Sequence, residues 1–258
     1  MIFAIIASTV ILITVFIYAC DNIFSVSVFK VSSEKIKTDC RVMFISDVHS
    51  KRVEKRLAKR IAKYAPTALF VGGDLWDRKK HSIEKDIDFL ADIAKDIPVF
   101  YSPGNHDYSF SEREQMLTAL AKKGINVLRA EKAELFGMEI VGFDRLRYSN
   151  FLNGALFKKT QKFRIMLTHF PQYFEEYAQL DIDLILAGHA HGGQFRIPFL
   201  KKGLYSPGQG IFPKYSEGMH ENNGTKLIVS RGIGNTNRFP FRLFNPPEVI
   251  VIDLFKEG

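Results

Sequence analysis

A series of short apolar runs, each closing on a loop of Gly, Asp, Asn or His, constrains this chain more than any other feature. The runs cover 42–46, 68–71, 99–101, 125–128, 139–142, 163–167 and 184–187. They are too short for helices and rich in β-branched and aromatic residues, so they read as buried strands. Segments near 51–64, 82–95 and 112–123 carry helical periodicity instead. Strand, loop and helix in alternation predict an α/β domain. Runs at 227–230 and 248–254 supply closing strands, and the Gly- and Pro-rich stretch 192–226 reads as loop. No internal repeat, Gly/Ser linker or second domain boundary interrupts the pattern.

Composition narrows the class. With 258 residues, 46% hydrophobic and 25% charged, the chain is ordinary globular material, which excludes disordered and low-complexity architectures. A core of this size needs no disulfide staples, and Cys20 and Cys40 alone build neither a disulfide scaffold nor a zinc–thiolate site. The net charge of +8 favours anionic partners.

Residues 1–20 are a different material. They carry no charged side chain, and about 20 apolar residues suffice for a helix to cross the hydrocarbon layer. A cleaved signal peptide needs a basic leading region, which is absent, and a small-x-small site, which Ile17-Tyr18-Ala19 matches poorly. A lipoprotein role for Cys20 has no better support. The expectation is an uncleaved anchor at 1–20, a juxtamembrane segment at 21–40 able to supply a first strand, and one domain over 41–258. Lys30, Lys35, Lys37 and Arg41 follow the apolar stretch and no cation precedes it, which orients the domain toward the cytoplasm; Asp21, Glu34 and Asp39 offset that bias.

The loops after the runs are where chemistry concentrates. The first run leads into Asp47-Val48-His49; on an extended segment residues i and i+2 point the same way, so carboxylate and imidazole are expected to converge. The next leads into Gly72-Gly73-Asp74, then Gly104-Asn105-His106-Asp107, then Thr168-His169, and finally Gly188-His189-Ala190-His191-Gly192-Gly193-Gln194. Ligands of α/β sheets bind at the carboxyl ends of strands. Each piece alone has a bland reading: a lone His after a strand is usually a satisfied or surface residue, and an Asp after two Gly is usually a helix cap. Five strand ends carrying such residues in register are a different matter. His81 and His220 fall outside the pattern and are read as ordinary histidines.

These blocks, Asp47-x-His49, Gly73-Asp74-x-x-Asp77-Arg78, Gly104-Asn105-His106-Asp107, His169 and Gly188-His189-x-His191, resemble the signature of the calcineurin-like metallophosphoesterases in full and in order. Gly192-Gly193-Gln194, Ser230-Arg231-Gly232-Ile233-Gly234 and Asn245-Pro246-Pro247-Glu248 are similar to a narrower group of small membrane-associated bacterial enzymes. That group includes a cell-wall phosphodiesterase and a UDP-2,3-diacylglucosamine pyrophosphatase. The resemblance implies two packed mixed β-sheets flanked by helices in a four-layer sandwich. It implies one metal held by Asp47, His49, Asp74 and His191, and a second by Asp74, Asn105, His169 and His189. His106 would be the catalytic imidazole, oriented by Asp77, and Arg78 would either reach the phosphate or brace its loop. Carboxylate, amide and imidazole donors without thiolate suit Mn, the first expectation, or Fe or Zn. Unlike exported relatives, residues 1–20 hold no twin-arginine motif, so export by that route is not expected.

Lys51, Arg52, Lys55, Arg56, Lys59, Arg60 and Lys63 fall on one half of the expected helix near 51–64, opposite Val53, Leu57, Ile61 and Tyr64. Such a face is either solvated or set against anionic headgroups. The leading functional expectation is a membrane-anchored, monomeric, two-metal phosphoester or pyrophosphate hydrolase with a lipid-linked or nucleotide-linked substrate. A nuclease or cell-wall polymer phosphodiesterase is the alternative, and a non-catalytic binding protein a remoter one. Nucleases of this kind carry an added capping region for which little chain remains, so no specific nucleic acid partner is expected.

Overall fold

A computed structural model describes residues 2–77, 83–143, 155–199, 202–235 and 241–257. The chain begins with helix α1 (Ile2–Asn22) and then enters a six-stranded mixed sheet. In spatial order this sheet holds β1 (Ser25–Ser33), β16 (Glu248–Lys256), β2 (Cys40–Ile45), β3 (Ala68–Val71), β4 (Val99–Tyr101) and β5 (Asn126–Val127). The second six-stranded sheet runs β14 (Gly218–Asn222), β15 (Thr225–Val229), β9 (Leu184–Ala187), β8 (Arg164–Leu167), β7 (Met138–Gly142) and β6 (Lys132–Leu135). The central neighbours β2–β3–β4 and β7–β8–β9–β15 are parallel, so their carboxyl ends line up on one edge of each sheet.

The layers follow from the side-chain alternation of strands buried on both faces. Along β2, Met43 and Ile45 point to a core shared with helices α2 (Glu54–Tyr64), α3 (Ile83–Ala94) and α5 (Arg113–Lys122), while Val42 and Phe44 point to the core between the sheets. Along β9, Leu184 and Leu186 join that inter-sheet core, and Ile185 and Ala187 join a third core. The third core includes Phe174 and Tyr177 of the short helix α6 (Phe174–Tyr177). Helix α4 (Asn105–Tyr108) is a single turn at the end of β4. Helix, sheet, sheet, helix is the four-layer order expected from the sequence.

Two expectations need correction. The helix near 51–64 begins only at Glu54. Ser50 still has a left-handed backbone (φ 51°), and the Lys51 ammonium is drawn to the carbonyls of Asp21 and Ile233, so Lys51 and Arg52 precede the helix. The stretch 192–226 is not all loop. Between the two-residue pairs β10 (Arg196–Ile197) with β11 (Lys202–Gly203) and β12 (Tyr205–Ser206) with β13 (Gly210–Ile211), and β15, lies β14. It forms a hairpin with β15 through Asn223-Gly224, both at positive φ, which is the turn chemistry of tight hairpins. As an edge strand it lacks the apolar run that marks its buried neighbours.

α1 is different in kind. Its 21 residues span about 31 Å at 1.5 Å per residue, enough for a hydrocarbon layer of ~30 Å. Its window Ile5–Asn22 has mean hydropathy 1.8 and none of it is buried in the protein.

Candidate metal centre

The strand ends of both sheets converge on one cluster. β2 delivers Asp47 and His49, β3 delivers Asp74, β4 delivers Asn105 and His106 on α4, β8 delivers His169, and β9 delivers His189 and His191. The ligand atoms of Asp47, His49 and His191 lie within 4.8 Å of one another, as do those of Asp74, His169 and His189. Within the groups, Asp47 Oδ1 sits 3.3 Å from His191 Nε2 and Asp74 Oδ2 3.0 Å from His169 Nε2; across them, Asp47 Oδ1 sits 3.6 Å from His169 Nε2 and Asp74 Oδ2 3.9 Å from His49 Nε2.

The convergence does not arise from an extended segment, as the i, i+2 argument supposed. Asp47, His49, Asp74, His189 and His191 all have left-handed backbones, with φ between 48° and 69°. Non-glycine residues adopt that region at a cost of roughly 1–3 kcal/mol each and hold it only where the surroundings enforce it. The enforcement is visible. Asp47 N–H donates to Gly73 O (2.9 Å), His49 N–H to Asp74 O (3.1 Å), and Gly234 N–H to Asp47 O (2.6 Å). Gly73 (φ 84°) is needed for the same packing, because a Cβ there would lie 2.4 Å from Gly104 N.

Second partners aim the ligands. His169 Nδ1 lies 2.7 Å from Gly72 O, which directs Nε2 into the cluster, a common arrangement for metal-binding imidazoles. Asp47 accepts the His189 N–H on both oxygens (3.1 and 3.0 Å), and Asp74 Oδ1 accepts the His106 N–H (2.8 Å). Asn245 Nδ2 donates to His191 O (2.7 Å) and Gln194 O (3.0 Å), and the Arg242 guanidinium lies 3.4 Å from His191 Nδ1.

The electrostatics call for cations. Burial raises the Asp47 pKa, and the neighbouring Asp74 carboxylate raises it further. Burial opposes ionisation of Asp74 too, but His169, His49 and His106 overcome it and hold that carboxyl below the ordinary range. Burial pushes His49 down to about 4 and His191 well below the usual imidazole range. Burial would also discharge His169, yet Asp74 and Asp47 draw it up to about 10, which shows how strongly the two carboxylates favour positive charge at this point. The Oδ1 of Asn105 is buried without a hydrogen-bond partner, His169 Nε2 has the Asp74 carboxylate at 3.0 Å, and the Nε2 atoms of His49 and His191 face each other at 3.3 Å. Buried polar atoms seldom go unpaired. Oxygen and imidazole donors left in this state fit two divalent cations.

Of the remaining expected site residues, His106 is half-buried at the edge of the cluster, its ring 4.7 Å edge-on from that of His49 and its ligand atom within 4.8 Å of those of His49 and Asp74. Asp77 is buried and its backbone N–H donates to Ser50 Oγ (3.4 Å); its carboxylate favours the charged form of His49. Arg78 lies outside the described residues, as does His81. His220 is remote from the cluster, edge-on to Tyr215. Sequence reasoning gave no role to Asp107, Arg242 or Asn245. Asp107, at the third position of α4, offers the acidic-residue signal of a helix N-terminus. Its carboxylate accepts N–H bonds from Asp74, Leu75 and Gly104. Arg242 and Asn245 reach the cluster from a segment distant in sequence; Asn245 belongs to the Asn245-Pro246-Pro247-Glu248 motif, whereas nothing local marks Arg242.

Comparison with known proteins agrees with this geometry. Residues 40–193 match the calcineurin-like phosphoesterase family. The chain is 31% identical over 252 residues to an uncharacterized metallophosphoesterase of Aquifex aeolicus (strain VF5), covering 89% of this chain and 91% of that protein. It is 30% identical over 236 residues to the uncharacterized protein YpbG of Bacillus subtilis (strain 168), covering 88% and 85%. It is 26% identical over 228 residues to the phosphodiesterase YaeI of Escherichia coli (strain K12), covering 83% and 82%. The fold is like that of TT1561 of Thermus thermophilus, with a TM-score of 0.55 at 11% identity over 76% of this chain and 91% of that one. Because the matched stretch contains every strand end that feeds the cluster, the chain belongs to the calcineurin-like phosphoesterase family and is a metal-dependent phosphoesterase.

Proposed function

We propose that this phosphoesterase is anchored in a membrane by α1, with its domain on the cytoplasmic side, and hydrolyses a phosphoester or pyrophosphate bond in a lipid-linked or nucleotide-linked substrate such as UDP-2,3-diacylglucosamine. The observation that carries the reading is the short link between α1 and the cluster. Asp21, in the last turn of α1, accepts the N–H of Arg242 on Oδ1 (2.7 Å), and the Arg242 side chain reaches His191. A substrate held at the bilayer surface is thereby within reach of the cluster.

One cation would be held by Asp47, His49, Asp74 and His191, and the other by Asp74, Asn105, His169 and His189, with Mn as the first choice and Fe or Zn as alternatives. When bound, two such ions supply Lewis acidity and a nucleophile at neutral pH. His106, at the open edge, protonates the leaving oxygen or stabilises charge on the phosphoryl group, and Asp77 orients that imidazole. The name of the related YaeI supports a diester as the bond cleaved. The protein acts as a monomer and needs no nucleic acid partner.

The test is a hydrolysis screen of the full chain in vesicles, with Mn, Fe or Zn, across monoesters, diesters and nucleotide-diphospho lipids. Faster turnover of lipid-bearing substrates than of their water-soluble counterparts is expected. Preference for the water-soluble forms, or for nucleic acid, would replace this reading with the polymer diesterase or nuclease alternative.

A further inference from the structure

The domain touches α1 well inside its apolar length. The ring of Phe16 packs against Phe244 with centroids 5.1 Å apart. Phe16 is six residues before the end of α1, so Phe244 lies about 9 Å along the helix from Asn22 toward its N-terminus. At the end of the helix the chemistry reverses. The Lys51 ammonium donates to Asp21 O (2.6 Å), Arg56 to Asn22 O (3.1 Å) and Arg60 to Phe24 O (3.4 Å), so the cations ring the polar end of α1 while Phe244 sits on its apolar side.

Phe244 is not isolated. Arg196 N–H donates to Leu243 O, Leu204 N–H to Phe195 O and Phe212 N–H to Leu204 O, stitching four successive segments edge to edge. Each carries an exposed apolar side chain: Phe244, the fully exposed Phe199, Leu204, and Ile211 with Phe212. Single exposed apolar residues are ordinary, but a connected set marks an interaction surface. Phe199, Phe212 and Phe244 moreover have left-handed backbones (φ 72°, 53° and 53°), an uncommon state for bulky residues. The fourth such phenylalanine among the described residues, Phe136, is accounted for by the two-residue hairpin turn it shares with Gly137 between β6 and β7. Phe199 lies in the connection between β10 and β11, whereas Phe212 and Phe244 lie outside the hairpin turns of the described residues; all three rings are exposed.

We infer that Phe199, Ile211, Phe212 and Phe244 form a second, monotopic membrane contact that dips into the same leaflet as the polar end of α1. The inference rests on reading α1 as a membrane span. The depth fixed by the Phe16–Phe244 contact falls in the roughly 5–10 Å to which interfacial elements bury their apolar faces. The cationic ring then lies at headgroup level. Asn245, next to Phe244, is bonded to the carbonyl of His191, so the immersed loop also fixes the distance of the metal centre from the bilayer. A substrate with its phosphate at headgroup level would not need to leave the membrane.

The chain has one tryptophan, Trp76, buried in the core, which leaves introduced tryptophans as clean reporters. The full chain would be reconstituted into phosphatidylcholine–phosphatidylglycerol vesicles as Phe244→Trp, Phe212→Trp, Phe199→Trp and, on α1, Leu12→Trp. Hydrolysis of a soluble ester by each variant checks its fold, and any of the three loop reporters suffices. Emission of the loop reporters should be quenched by lipids spin-labelled high on the acyl chain and little affected by aqueous iodide. If Leu12→Trp is quenched by lipid while the loop reporters respond to iodide alone, the anchor stands and this inference is overturned. If Leu12→Trp is also untouched by lipid, the anchor reading itself fails and the inference with it. Loop reporters shielded from both quenchers, and exposed on dilution into excess lipid, would assign the face to a second copy of the chain and overturn the membrane contact.

Discussion

The carboxylate of Asp107 accepts the backbone N–H of Asp74 at 2.7 Å, and so holds the carboxylate whose ligand atom lies within 4.8 Å of those of His49 and His106 and of His169 and His189. The same side chain takes the N–H groups of Leu75 (3.0 Å) and Gly104 (2.8 Å), tying the β3 and β4 loops together. Burial, reinforced by the charge of Asp74, raises its pKa to about 6. Asp107→Ala would orphan four buried donors, the Trp76 N–H (3.4 Å) among them, at about 1–3 kcal/mol for each unsatisfied group. We expect a large fall in melting temperature together with lost metal, measured by calorimetry and elemental analysis. A stable variant with full metal content would show that the loops hold themselves.

His106 and Asp74 should separate chemistry from metal binding. His106→Ala is expected to keep its metals while kcat drops roughly 10²-fold or more, the range for positioned acid–base groups. Asp74→Ala should lose metal. Metal loss in His106→Ala would move this imidazole into the ligand set, which its ligand atom, within 4.8 Å of those of His49 and Asp74, makes a direct test.

The helix α2 divides its cations by position. Arg56 and Arg60 are engaged at the end of α1, whereas Lys55, Lys59 and Lys63 are exposed. Each Lys near an anionic surface contributes about 1 kcal/mol. Reversing the three lysines to Glu should leave hydrolysis of a small soluble ester intact and slow hydrolysis of a substrate embedded in anionic vesicles. Raising the salt should reproduce the effect in the unmodified protein. Insensitivity to both returns this face to simple solvation.

Asp86 supplies a pH signature. Burial raises its pKa from 3.8 to about 7, with Ser50 opposing the rise and Glu54 adding to it. A raised folded-state pKa means that the native protein binds the proton more tightly, so the stabilisation is complete below pH ~4 and is lost as pH climbs toward 7. Asp86→Asn removes that dependence. Its melting temperature, relative to the unmodified protein, should therefore rise between pH 5 and pH 8; a pH-independent difference would contradict the assignment.

The readable part of the sequence was the part governed by local pattern. Parallel strands buried on both faces, such as Ala68–Val71 and Leu184–Ala187, are unbroken apolar runs, and the loops that follow them hold the Asp and His residues of the cluster. Edge strands lack that signal: Gly218–Asn222 is half-exposed along its length, and only the Asn223-Gly224 turn betrays it. The left-handed backbones of Asp47, His49 and His191 are imposed by distant hydrogen bonds, as are the places of Arg242 and Asn245 behind His191. No local propensity encodes contacts across twenty-five residues or more. The same holds for the Phe16–Phe244 contact, which ties the first helix to a segment near the chain's end.

The central claim is that the cluster works as a two-cation hydrolytic centre. Its most direct measurement is metal content and hydrolysis of a soluble phosphodiester on one sample of the full chain, before chelation, after exhaustive chelation, and after titration with Mn. The account predicts that activity vanishes with the metal and returns in proportion to occupancy, reaching its plateau at two ions per chain. Full activity in the metal-free protein, or a plateau at one ion, would contradict it.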